Sequence, residues 1–106
     1  MQTIIIVLHA ERMPNPDLDI RYTLPERIEE YTNHQVTDNG YDYLSNTELG
    51  LWLETDDAVN NAEKIIQLIS TERFLENDLS QTAEIYISDE ACAAFENHYQ
   101  QLKKEL

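Results

Sequence analysis

Between Arg27 and Lys64 the chain has no lysine or arginine, and nine carboxylates stand in that gap: Glu29, Glu30, Asp38, Asp42, Glu48, Glu54, Asp56, Asp57 and Glu63. Tyr31, Tyr41, Tyr43 and Trp52 are set among them. Residues of these types suit one kind of chemistry, the recognition of a cationic surface. A field of one sign steers a basic partner in and rejects acidic competitors. Tyrosine and tryptophan are the side chains that most often anchor such contacts. The expected contact region is therefore Asp38 to Asp57. Asp38, Asp42, Glu48, Glu54, Asp56 and Asp57 supply charge, and Tyr41, Tyr43 and Trp52 supply anchors. Arg12, Asp17, Asp19 and Arg21 form a second, weaker candidate. The competing reading is that the acids only solvate the surface while the aromatics pack inward.

Other chemistries fit the residues less well. Asp38-Asn39-Gly40 has the opening of a calcium loop, but the twelfth position, where a glutamate is needed, is Leu49. Glu54, Asp56 and Asp57 read more naturally as a strand end followed by a helix cap than as a magnesium site. His9, His34 and His98 are the only histidines. His9-Ala10-Glu11-Arg12 faintly resembles the opening of the histidine phosphatases. That family has an arginine directly before its histidine, where this chain has Leu8, and the chain is short for that fold. Cys92 lies in an apolar helical stripe and reads as a small buried hydrophobe. With only Gly40 and Gly50, no phosphate-cradling loop can be built. No catalytic residue, cofactor or metal is expected.

The whole chain bounds these choices. Its 106 residues carry a formal net charge of -14 and a pI near 4.3, and 42% are hydrophobic. That length suits one domain, 1–106. Disordered acidic chains are poor in β-branched and aromatic residues, whereas here Thr3-Ile4-Ile5-Ile6-Val7-Leu8 forms a dense apolar block. The charge repels nucleic acid and anionic membranes. A single cysteine permits no internal disulfide, and the N-terminal apolar run is too short for a signal peptide or a membrane span, so a cytoplasmic location is expected.

The apolar pattern predicts the elements. Residues 3–8 read as a strand buried on both faces. Thr23-Leu24-Pro25-Glu26 has a capping-box pattern, so a helix is expected to begin after Thr23 and to end near Thr32. Asp38-Asn39-Gly40 reads as a turn. A hairpin follows, Tyr41–Leu44 and Glu48–Thr55, in which Leu49, Leu51 and Leu53 alternate with Gly50, Trp52 and Glu54. Thr55 or Asp56 caps a second helix with the stripe Ala58, Ala62, Ile65, Ile66 and Ile69. A short strand at Ala83, Ile85 and Ile87 precedes a last helix with the stripe Cys92, Phe95, Tyr99 and Leu102. The expected fold is α+β: a ferredoxin-like βαββαβ order with an antiparallel four-stranded sheet and an additional C-terminal helix. Trp52 should face away from the helices, together with Tyr86 and one of Tyr41 or Tyr43. The last helix either covers that second face or leaves it open to a partner.

In size, acidity, α/β build and lack of catalytic motif, the chain resembles bacterial toxin immunity proteins, in particular those of contact-dependent growth inhibition. The resemblance is one of general character and carries over no residue roles. It implies a cognate basic toxin domain, most simply a nuclease, bound directly in a Gram-negative cytoplasm. Two other readings stand beside it. One is a nucleic-acid mimic that blocks a DNA- or RNA-binding enzyme. The other is a self-associating ferredoxin-like regulatory domain, a homo-oligomer that so much like charge disfavours.

Overall fold

A computed structural model describes residues 1–13, 15, 19–88 and 100–103. The apolar run forms β1 (Gln2–His9), in which every residue from Thr3 to His9 is buried. A strand buried on both faces belongs inside a sheet. β1 indeed lies between β3 (Glu48–Thr55) and β4 (Glu84–Ser88), antiparallel to both. β2 (Val36–Tyr43) pairs with the outer side of β3, and a short β5 (Gln100–Lys103) with the outer side of β4. The sheet order is β2-β3-β1-β4-β5. The architecture is thus α+β, an antiparallel sheet with the two helices α1 (Ile20–Tyr31) and α2 (Ala58–Thr71).

One face of the sheet carries the core. Ile4, Ile6 and Leu8 of β1, Leu49, Leu51 and Leu53 of β3, and Ile85 and Ile87 of β4 pack against Ile20, Leu24 and Ile28 of α1 and Ala62, Ile65 and Ile69 of α2. The i, i+4 spacing on both helices presents one apolar stripe to one face of alternating strand residues. Truncating a fully buried member such as Leu24 or Leu53 to alanine would cost about 2–5 kcal/mol.

Three boundaries differ from the sequence reading. α1 begins at Ile20, before the Thr23 capping pattern, and takes Pro25 into its interior. Burial of Ile20 and Leu24 outweighs the missing Pro25 amide, because the stripe is completed only if the helix starts early. β2 begins at Val36, so Asp38-Asn39-Gly40 is a bulge inside a strand and not a turn before one. Gly40 supplies the left-handed φ of +98° that either device needs, which is why the local signal was ambiguous. Most of the expected last helix, residues 89–99, lies outside the described residues. At its far end Gln100–Lys103 is strand, so Leu102 is not on a helix.

Two local devices fix the ends of the sheet. The Asp57 side chain caps α2 by accepting from the Asn60 amide at 3.2 Å. Asn15 and Asn77 clamp the loops after β1 and after α2. The Asn15 amide donates to Asn77 Oδ1 at 2.9 Å, and Asn77 Nδ2 donates to the Asn15 carbonyl at 2.7 Å.

Candidate functional site: an acidic surface divided by a β-bulge

The nine expected contact residues fall in three places, and strand pairing decides which. Residues paired across an antiparallel ladder share a face. Asp42 pairs with Gly50, Glu48 with His9, Trp52 with Ile5, and Glu54 with both Thr37 and Thr3. Asp42, Glu48, Trp52 and Glu54 therefore belong to the face away from the helices. Trp52, Ile5 and Tyr86 form one row across it, so Tyr86 does join Trp52.

Trp52 is half-buried there. Its ring lies along β3 over Gly50, and a Cβ added at Gly50 would stand 2.6 Å from Trp52 Cζ3. Glycine is needed at that position for the close approach of the indole. Ile5, next to Trp52 in the row, is fully buried. Trp52 thus packs along its own sheet as well as presenting an edge outward.

Neither Tyr41 nor Tyr43 stands in the Trp52 row, contrary to the sequence reading, although Tyr41 and Trp52 both border a shallow concavity at the bulge with Gly40 and Asp42. The register shifts by one residue between Asp38, opposite Leu53, and Tyr41, opposite Leu51. A regular ladder continued from Asp38 would bring Tyr41 opposite Gly50, on the Trp52 face. The bulge turns Tyr41 and Tyr43 to the helix side of the edge strand, as a one-residue slip must. There they meet α1. The Tyr22 and Tyr41 rings are 6.2 Å apart at 87°, and Tyr41 and Tyr43 repeat that edge-to-face geometry at 6.2 Å and 87°. The Arg21 guanidinium lies 4.7 Å from the Tyr22 centroid and 5.1 Å from that of Tyr41. Hydrogen bonding from Arg21, then from Tyr41, holds the Tyr22 hydroxyl below the usual tyrosine range.

Tyr22 was absent from the expected site, and Arg21 was assigned to a separate loop contact. Both are part of this edge because α1 starts at Ile20. The signal was present as adjacent Arg21-Tyr22, but the capping pattern at Thr23 placed them outside the helix. Asp38 lies on the same edge. Its amide donates to Glu29 Oε2 of α1 at 3.0 Å, and its Oδ1 accepts from the Gly40 amide at 2.9 Å. The Tyr43 amide donates to Asp42 Oδ1 at 2.8 Å. Three amides along β2 are thus occupied by carboxylates, which blunts this edge against strand addition. Asp17 lies outside the described residues.

Asp56 and Asp57 are at the third place, the junction of β3 and α2. Glu54, Asp56, Asp57, Thr37, His34 and Asn61 line a groove of about 360 Å³ there. Asp57 is engaged as a cap, whereas Asp56 is exposed.

At the other end of β1, His9 is buried, and its Nε2 donates to Glu84 Oε2 at 2.9 Å. Its Nδ1 is 3.7 Å from both Glu11 and Glu48. Tyr86 donates to Glu84 Oε1 at 2.8 Å, and burial followed by this carboxylate pushes the phenol up to about 12. Glu48 accepts from Ser45 Oγ at 3.0 Å as well. These contacts tie the β2–β3 turn and β4 to the end of β1, which gives Glu48 a structural task alongside its charge.

Among the described residues, no group of three or more His, Cys, Asp or Glu side chains is arranged to hold a metal ion, and no helix is long and apolar enough to cross a membrane. Compared with known proteins, the chain matches no family model, no curated protein and no solved structure.

Proposed function

We propose that this chain is an acidic binding protein that neutralises a basic protein partner by direct contact, in the manner of a bacterial immunity protein with its toxin domain. The supporting observation is the exposed tyrosine row Tyr22, Tyr41 and Tyr43 on the edge of a chain of net charge -14. Exposed rings beside carboxylates are what an interface with a cationic protein uses. A nuclease fits as the partner, since a surface that holds a phosphate backbone is basic, and a Gram-negative cytoplasm fits as the setting. The β1-α1-β2-β3-α2-β4 order with β1 inside the sheet is read as ferredoxin-like, with whatever follows β4 as an addition to it. The carboxylates are spread over three places rather than along one ridge, which favours protein contact over mimicry of nucleic acid.

The test is capture with the tagged protein at low and high salt, followed by reconstitution with the partner recovered. One basic protein should dominate at low salt. Its toxicity on expression should be abolished by stoichiometric co-expression of this chain. The association rate should fall steeply as salt screens the charges. Recovery only of further copies of the chain, or a partner whose activity is untouched, would overturn the proposal.

A further inference from the structure

The tyrosine row already binds one cation, and that cation comes from the chain itself. The Arg21 guanidinium is stacked at 4.7 Å and 5.1 Å on Tyr22 and Tyr41. Its Nε is buried without a hydrogen-bond partner, and none of the ion pairs among the described residues involves Arg21. The rings of Tyr22 and Tyr41, together with the Tyr22 hydroxyl that accepts from it, hold this guanidinium. Tyr43 continues the same edge-to-face row and is 50% exposed, and among the described residues no cation lies over its ring. Asp42 is its neighbour on β2, with Asp38 beyond the bulge. The amides of Asp38, Gly40 and Tyr43 are taken by carboxylates. A partner must then be read through side chains here and not through added strand hydrogen bonds.

We infer that Tyr43, with the outer part of Tyr41, is a docking site for an arginine side chain of a basic protein partner, extending by one guanidinium the Arg21–Tyr22–Tyr41 stack. The inference rests on the proposed function for the existence of a basic partner, and it names the α1–β2 edge rather than the Trp52 face as the centre of contact. Three features select the occupant. The ring faces attract cations through their quadrupole. The planar guanidinium stacks on aromatic rings, whereas an ammonium does not. The net charge of -14 admits a cation and repels an anion. The bulge is the device that makes the site, because it turns Tyr41 and Tyr43 onto the side where α1 carries Arg21 and Tyr22.

The probe is a 12-residue peptide of alternating arginine and glycine, compared with its lysine counterpart of equal charge, titrated against the full chain by NMR. The ring signals of Tyr41 and Tyr43 should shift and saturate with the arginine peptide, and the arginine peptide should bind more tightly than the lysine one. Tyr43→Ala should weaken arginine-peptide binding about three- to fivefold and remove the arginine preference, as expected for loss of one exposed cation–ring contact. Tyr43→Phe should keep both within about twofold, since the ring carries the interaction. Arg21→Gln frees ring surface and removes a like charge, so it should bind the arginine peptide at least as tightly as the wild type. Tyr43 is exposed on an edge strand, and an unchanged amide spectrum outside its neighbourhood would show that the variant remains folded. Shifts centred on the Trp52 indole, equal binding of the two peptides, or weaker binding by Arg21→Gln would each overturn the inference. None of these results bears on whether a toxin partner exists, whereas failure of the capture and co-expression experiment would overturn the proposed function alone.

Discussion

Glu84 shows how one residue can organise one end of the sheet. It receives the His9 ring on one oxygen at 2.9 Å and the Tyr86 hydroxyl on the other at 2.8 Å. Burial, and then this carboxylate, raise Tyr86 to about 12, above the ordinary tyrosine value of 10.0. A raised pKa favours the neutral phenol in the folded state. The associated stability is fully present below the unfolded pKa near 10 and is lost as pH climbs through the folded value near 12. In an absorbance titration at 295 nm, Tyr86 should be the last phenol to ionise among those described, and Tyr86→Phe should remove that final step. Urea midpoints measured across that window should fall more steeply for the wild type than for Tyr86→Phe. Parallel curves for the two proteins would contradict the assignment. Residues of this kind were poorly legible in the sequence. His9 and Glu84 are 75 positions apart, and nothing local to either announces the other.

At the level of elements, legibility followed the strength of the local pattern. β3 was expected as Glu48–Thr55 and is found there, because Leu49, Leu51 and Leu53 alternate cleanly with Gly50, Trp52 and Glu54. α1 was misplaced at its start because a capping-box pattern at Thr23 competed with the burial of Ile20, and burial prevailed. The α2 cap was placed at Thr55 or Asp56, but it is Asp57 that caps, one turn before Asn60 and Asn61. Thr55 Oγ1 instead accepts from Asn61 Nδ2 at 2.7 Å and from the Asp57 amide at 3.3 Å, and so braces the cap from the strand side. Replacing Asp57 with alanine should cost about 1 kcal/mol through loss of the N-cap. Asp56→Ala, at the exposed neighbouring position, should stay within about 0.5 kcal/mol of the wild type. Urea unfolding of the two variants checks this. Equal losses would mean that Asp57 acts only as a charge.

For the molecule as a whole, charge and core oppose each other. Most of the apolar residues of α1, α2 and the strands are gathered on one face of the sheet, while Ile5 and Val7 of β1 are buried on the other. The net charge of -14 is spread over the remainder and works against compaction. Added salt screens this repulsion, since the Debye length shortens from about 30 Å at 0.01 M to about 10 Å at 0.1 M. The melting temperature should therefore rise as sodium chloride is raised from low to moderate concentration, while binding to a basic partner weakens over the same range. A melting temperature that falls with salt would show that attractive pairs such as Arg27–Glu72, joined at 2.8 Å and 3.0 Å, outweigh the repulsion.

The sequence by itself determined the α+β class, the doubly buried first strand, the apolar stripe of the second helix and the acidic, tyrosine-bearing character of the surface. Each is carried by composition or by a short period along the chain. Only the tertiary structure decided which aromatics share a surface. That outcome turns on a single extra residue at the Asp38–Tyr41 bulge, and the period of a strand is two. One inserted position moved Tyr41 and Tyr43 from the Trp52 face to α1, where Arg21 and Tyr22 complete a row of rings that no pattern along the chain places together.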